Sequence, residues 1–346
     1  MKGQGGQLEI RKVQKTGTST MTVSLPKDWI EANGVKPGDQ VSIEVQPDGS
    51  LTIEPKIQSV KKAFIATISV AMDEPTEHLV RKLIGAYLAG STIIEVRSKG
   101  RMDLGVKRSI KDFTRLVSGP EIIEETANTV VLHNLSSPLQ LPQRKCVRRM
   151  HLMVDTMHRD ALTAYVNGDL SLAEDVIERD LEVDRLYWLT VKQHSMILDD
   201  RRLARDMGVS VQDSLSLLLV ARILERVGDH AEKIARQAIA IAGDENPPVV
   251  KEMRDIGLRA LEVLGRSVDS FTVQNEPLAN ATIDGGGKLV EEGAELQPRL
   301  QGYGGMGTMS RTAVMESIMR TTMYAMDIAE IAINDAMRNE MEKRIE

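Results

Sequence analysis

The sequence predicts a multidomain α+β protein: a small β-rich head, a short α/β segment and a mainly helical remainder. Three observations carry this. Residues 7–56 alternate apolar and polar with period two. Residues 62–135 switch between that period and a helical one. Beyond residue 144 apolar residues step by three and four almost without a break. Composition agrees: aromatic residues are only 3% of the chain while methionine reaches 18, which suits packed helices better than a β-sandwich. A chain of 346 residues has room for two or three domains.

In the head, Leu8 and Ile10, then Met21, Val23 and Leu25, then Val41, Ile43 and Val45, then Leu51 and Ile53 each mark one face of a short strand. Between the second and third strands, Pro26 opens a two-turn helix that Asn33 and Gly34 close. Lys36–Asp39 and Pro47–Gly49 read as turns. The order is β-β-α-β-β. A unit this small buries too little apolar surface to stand alone, since folding is marginal below ~60 residues. A second copy of itself is the expected help.

Strands are next predicted over AFIATISV, TIIEVRS, EIIEE and TVVLHNL, with helices over 75–90 and 103–117. This β-α-β-α-β-β order suggests a small α/β layer domain over 62–135. Residues 136–143 read as a linker. Val147, Met150, Val154, Met157, Ala161 and Ala164 then form one helical seam. Leu217, Val220, Leu224, Val227, Ala231, Ile234, Ala238 and Ile241 form another. Breaks at Asn167–Asp169, Met207–Gly208, Asp244–Pro248, Asn275–Pro277 and Gly302–Gly307 leave six helices in two groups of three. Ser171 with Glu174, and Ser210 with Asp213, signal helix starts. A weak internal repeat lays 226–239 over 324–337, so that Asp229 and Glu232 meet Asp327 and Glu330.

Glu225 and Asp229 are four residues apart and so neighbours on a helix, where like charges cost roughly 0.2–0.5 kcal/mol. Turning from the 217–241 seam places them on its flank and far side, outside the core. On spacing alone they belong to a solvated face, with Arg222, Arg226 and Lys233 within a turn and Glu232–Arg236 as an i,i+4 pair. A second pair, Asp180 and Asp184, has the same spacing on the preceding helix and forms an acidic strip with Glu178 and Glu182. Two such strips brought together would offer four carboxylates to a hard or borderline cation: iron, manganese, magnesium or calcium. His230 is a possible fifth member, and more simply a surface partner of Asp229. His151 and His158 read as surface or seam residues.

The stretch LERVGDHAEKIA, 224–235, resembles the signature of the PhoU-like phosphate-uptake regulators. The resemblance covers about 144–343. It implies two tandem three-helix bundles, over 144–242 and 247–343, with carboxylate motifs on paired helices that bind metal clusters. Asp180, Asp184, Glu225 and Asp229 match the first repeat. In the second, Met323 replaces the glutamate, Asp327 remains, and Lys288 and Glu292 flank a Gly285–Gly287 interruption, so metal binding is not expected there.

GTSTMTVSLPKDWIEANGVKPGDQVSIEV, 17–45, is similar to the AbrB/MazE/SpoVT swapped-hairpin domain. For residues 1–56 the resemblance implies a β-barrel interleaved from two chains, which answers the size problem, and DNA contacts near the first strand and loop. Arg11, Lys12 and Lys15 beside Thr16, Thr18 and Ser19, with Lys27 at the helix start, suit phosphate contacts. Arg11 is the candidate for a base edge. Charge alone does not demand DNA, because residues 1–56 hold seven basic and seven acidic residues. The full expectation is then a swapped-hairpin β-barrel head, a small α/β segment and two helical bundles, which resembles an architecture common in archaea.

The net charge of −6 gives no global pull towards nucleic acid. The single cysteine, Cys146, cannot form an internal disulfide and fits a reducing, intracellular setting. The opening MKGQGGQLEI holds no hydrophobic export segment, and no apolar run approaches the ~18–20 residues of a membrane span. A cytoplasmic protein without membrane insertion is expected. Gly3–Gly6 and Gly302–Gly307 lack the strand-to-helix setting of a phosphate loop. No nucleophile, base and oxyanion-donor set is recognisable, which argues against an enzyme. The resemblances imply a homodimeric regulator of phosphate uptake that binds DNA and touches a phosphate ABC transporter. The alternative is an adaptor docked on that transporter, with the head serving only for dimerisation.

Overall fold

A computed structural model describes residues 9–45, 49–55, 64–71, 74–137, 139–241, 247–301 and 306–343. The chain divides into two compact units, Met1–Lys62 and Ala63–Glu346.

The first unit has strands β1 (Gln14–Thr16) and β2 (Thr20–Thr22), helix α1 (Lys27–Ala32), and strands β3 (Val41–Val45) and β4 (Leu51–Pro55). β1–β2 and β3–β4 are separate antiparallel hairpins. The element order is as predicted, but the first strand is not where Leu8 and Ile10 place it. Ile10 is outside any strand, and Leu8 lies outside the described residues. The hairpin is instead set by its turn: Gly17 adopts φ +69°, and the strands pair on either side of it, Thr16 opposite Thr20. α1 starts after Pro26 and ends at Asn33, whose side-chain amide donates to Trp29 O at 2.8 Å. None of the described residues of this unit is buried. Ile10 is 91% exposed, Val45 72% and Ile43 62%.

The second unit begins with β5 (Ile65–Val70), α2 (Thr76–Leu88), β6 (Ile93–Ser98), α3 (Leu104–Leu116), β7 (Pro120–Glu125) and β8 (Thr129–Asn134). The sheet order is β5-β6-β8-β7. β5 and β6 are parallel, joined through α2, and the other pairs are antiparallel. Period two on the strands buries Ile68, Val70, Ile94, Val96, Val130 and Leu132. The helical period buries Leu79, Leu83 and Tyr87 on α2, and Val106, Ile110 and Phe113 on α3. Tyr87 meets the Phe113 ring edge-on at 6.3 Å and donates its hydroxyl to Ser118 O at 3.1 Å.

Helices α4 (Gln143–Asn167), α5 (Leu170–Asp199), α6 (Arg202–Met207), α7 (Val211–Ala240), α8 (Val249–Val273), α9 (Glu276–Gln301) and α10 (Met306–Lys343) follow. α4, α5 and α7 pack on one another, as do α8, α9 and α10. α7 with α10 and α4 with α8 join the two groups into one core. The 217–238 seam of α7 is buried as its spacing predicts. Trp188 of α5 packs on the α/β core, and Lys192, 3% exposed, holds Nζ 4.0 Å over the Tyr87 ring.

Three local details differ from expectation. α5 is capped by Asp169, which accepts from Leu172 N, and not by Ser171. The helix expected to run to Met207 stops at Asp199, because Asp200 is extended and its carboxylate accepts Arg202 N, starting α6 afresh. α9 runs unbroken through Gly285–Gly287. These glycines are not an interruption. A β-carbon on Gly286 would stand 2.7 Å from Met326 Sδ, so the bare backbone is the notch that seats that side chain. The Ser210–Asp213 capping box is present. No helix of the described residues is long and apolar enough to cross a membrane.

Candidate metal centre

α5 and α7 lie side by side, and Gly228 lets them close in. A β-carbon at Gly228 would stand 3.1 Å from Asp180 Oδ1 and 3.4 Å from Val183 Cγ1. Asp180 and Asp184 stand one turn apart on α5, Glu225 and Asp229 one turn apart on α7, and the charges of the two pairs act on one another across the helix contact. Their environment departs from the expected solvated face, because all four are half-buried. The cause is local. Buried Val183 and Val227 flank the acidic positions, and the close helix approach narrows the cleft over them.

The electrostatics follow. Burial first, then Asp184, Glu232, Asp229 and Glu225, push the Asp180 carboxyl up to about 7. Burial and Asp229 raise Asp184 to about 6. Burial and Asp229 raise Glu225 to about 7, against the opposing Arg222. Asp229 is raised too, by burial, while Lys233 opposes. Asp180 Oδ1 and Glu225 Oε2 are buried with no hydrogen-bond partner. Buried, unpartnered acceptor oxygens on mutually repelling carboxylates are what a cation would satisfy. Among the described residues, no three His, Cys, Asp or Glu side chains are gathered closely enough to hold an ion as they stand. Loading would need side chains to swing inward.

Sequence reasoning missed one member of this surface. Glu232 was read only as the partner of Arg236, with which it pairs at 2.5 Å, yet it raises Asp180, Asp184 and Asp229. It lies three residues after Asp229, so helical spacing held the signal. Glu182 turns away instead, to Arg185 at 3.0 Å and Arg149 at 3.7 Å, and leaves the expected strip. His230 faces α10, its ring 5.8 Å from that of Tyr324, and burial lowers it to about 4. His158 is buried, with Nε2 2.8 Å from Val227 O and 3.3 Å from Thr321 Oγ1. Cys146 is buried, which pushes its thiol up to about 11 and keeps it unreactive. In the second helix group Glu292 is held by Arg259 of α8 at 2.6 Å, Lys288 is exposed, and Asp327 is raised by burial and by Glu330 of its own helix.

The hairpin residues are all exposed. Lys15 and Thr16 lie on β1, with Lys15 opposite Met21 and Thr16 Oγ1 3.2 Å from Thr22 Oγ1. Thr18 and Ser19 form the turn, Arg11 is paired with Glu9, Lys12 precedes β1, and Lys27 begins α1, 3.6 Å from Glu31.

Residues 147–238, from α4 to α7 and so including all four carboxylates, match the PhoU domain. Residues 14–61 match the bacterial antitoxin domain described as "Antidote-toxin recognition MazE". By these matches the chain is similar to PhoU-domain proteins over 147–238 and to MazE-type antitoxins over 14–61. It is similar to the phosphate-specific transport system accessory protein PhoU homolog of Pseudomonas aeruginosa, with 30% identity over 38% of this chain and 55% of that protein. It is also similar to the accessory protein PhoU of Escherichia coli, with 27% identity over 37% of this chain and 52% of that protein. The chain spans about half the length of these curated relatives. The crystal structure of PhoU from Pseudomonas aeruginosa aligns with a TM-score of 0.45 and 21% identity, over 57% of this chain and 96% of that one.

Proposed function

We propose that this chain is a homodimeric cytoplasmic regulator of phosphate uptake. Its head contacts DNA, and its helical unit reports phosphate status through a phosphate transport system. The observation that supports this most is a coincidence: the PhoU-domain match spans both helices whose half-buried carboxylates repel one another. The relatives' names point to the same system. The apolar faces of the first unit, none of them buried, support a second copy as its cover, and its hydroxyl-rich turn between Lys15 and Lys27 suits phosphate contacts.

In this reading Asp180, Asp184, Glu225 and Asp229 hold a metal ion of the oxygen-seeking kind, manganese, iron, magnesium or calcium. Its positive charge would offset the carboxylates and tie α5 to α7. The regulator acts by binding and not by catalysis.

Two measurements test it. Arg11→Ala with Lys15→Ala should abolish gel-shift binding to the chain's own promoter fragment while sedimentation still reports a dimer. Unchanged, salt-dependent affinity would remove the DNA role and leave the transporter adaptor. Mn²⁺ should raise the melting temperature of chelator-treated protein by several degrees. Asp180→Asn should abolish that rise and itself stabilise the metal-free form, because a repelled, half-buried charge is gone.

A further inference from the structure

Glu225 presents its two oxygens differently. Oε1 accepts a hydrogen bond from Arg222 Nη1 at 3.1 Å, while Oε2 is buried with no partner. The Arg222 guanidinium is itself held, 5.2 Å over the ring of Tyr187 on α5. One arginine on α7 thus rests on a neighbouring helix and grips an acid one turn further along its own. One turn on, Arg226 is a natural contrast. It lies 5.9 Å over the Tyr324 ring of α10 and makes no hydrogen bond or ion pair among the described residues. Both arginines act on Glu225 through charge, but only Arg222 is bonded to it.

We propose that Arg222 is the positioning residue of the metal centre. Held over Tyr187, it occupies Oε1 and leaves the buried Oε2 of Glu225 as the oxygen available to an ion. The inference rests on the metal-centre reading above. Its physical basis is that ligating carboxylates are oriented by outer hydrogen bonds, whose loss typically weakens metal binding about 10–100-fold. Charge alone predicts the opposite. Removing a cation beside four carboxylates strengthens the binding of another cation, and does so for Arg222 and Arg226 alike.

The test is titration of chelator-treated, full-length protein with Mn²⁺ by calorimetry, together with the melting temperature without metal. Arg222→Met should weaken Mn²⁺ binding about tenfold or more, Arg222→Lys should recover part of the loss, and Arg226→Met should bind at least as tightly as wild type. Metal-free melting temperatures should fall for both Met variants, since each removes a cation that offsets the half-buried Glu225, so the contrast between them is read in Mn²⁺ affinity. If Arg222→Met binds as tightly as wild type, or gains affinity in step with Arg226→Met, the positioning role is wrong while the metal centre stands. If Arg222→Lys shows no recovery relative to Arg222→Met, the hydrogen-bond argument fails. If wild type itself binds no Mn²⁺, the metal centre falls and the inference with it.

Discussion

Asp180 Oδ1 lies directly over Gly228, 3.1 Å from where a β-carbon would sit. The acid on α5 and the bare backbone on α7 therefore fit each other. Gly228→Ala makes Asp180 yield by a few tenths of an ångström, while the helix gains about 1 kcal/mol of propensity. The metal-free protein should melt at or slightly above the wild-type temperature, and its stabilisation by Mn²⁺ should shrink. Thermal scans with and without metal check both halves. An undiminished metal response would mean that the glycine has no bearing on the cleft.

Lys192 supplies a pH dependence. Burial lowers its ammonium to about 8, from an ordinary value near 10.5. Below pH 8 the folded protein carries the desolvation cost in full. Between about 8 and 10.5 the unfolded chain keeps a proton that the folded one has released, so stability rises with pH. Lys192→Met removes the cost. It should be more stable than wild type at pH 7, by up to about 3 kcal/mol, with the gap closing towards pH 10. Urea denaturation of both proteins across this range tests it, and taking the difference cancels Tyr87 and Cys146. A gap that does not change with pH would mean that Lys192 is solvated.

Ile43 and Ile53 sit directly opposite each other on β3 and β4, with Ile43 62% exposed. If a second copy covers that hairpin, Ile43→Asp should yield a monomer by light scattering after size exclusion. A dimer that persists would put the contact elsewhere.

Gly293 on α9 faces Met319. A β-carbon would stand 2.2 Å from its Sδ and 2.7 Å from Met315 Cε. Gly293→Ala should destabilise the protein by about 1–3 kcal/mol through overpacking, and leave Mn²⁺ affinity untouched. A neutral stability change would mean that the methionines repack freely.

Periodicity made the long elements legible. Every apolar position of the 217–238 seam is buried, and the switch from period two to a helical period separated the α/β layer from the bundles. Each carboxylate pair, Asp180 with Asp184 and Glu225 with Asp229, was readable as a ridge on its own helix from the i,i+4 spacing, but that spacing did not say whether the two ridges would meet. What the helical wheel could not register is distance between neighbouring helices. Gly228 narrows the cleft and changes a wet face into a half-buried one. The same blindness turned Gly285–Gly287 into a break. The first strand was misplaced because the Gly17 turn, rather than the Leu8 and Ile10 alternation, sets the hairpin.

The order β5-β6-β8-β7 bears on synthesis. β7 leaves the ribosome before the strand it pairs with, and β6 has an open edge on that side until β8 arrives to fill the gap between them. The sheet therefore closes only once Asn134 has emerged. Until then the nascent chain carries two unsatisfied strand edges, a window in which a chaperone, or a neighbouring chain on the same message, has something to bind.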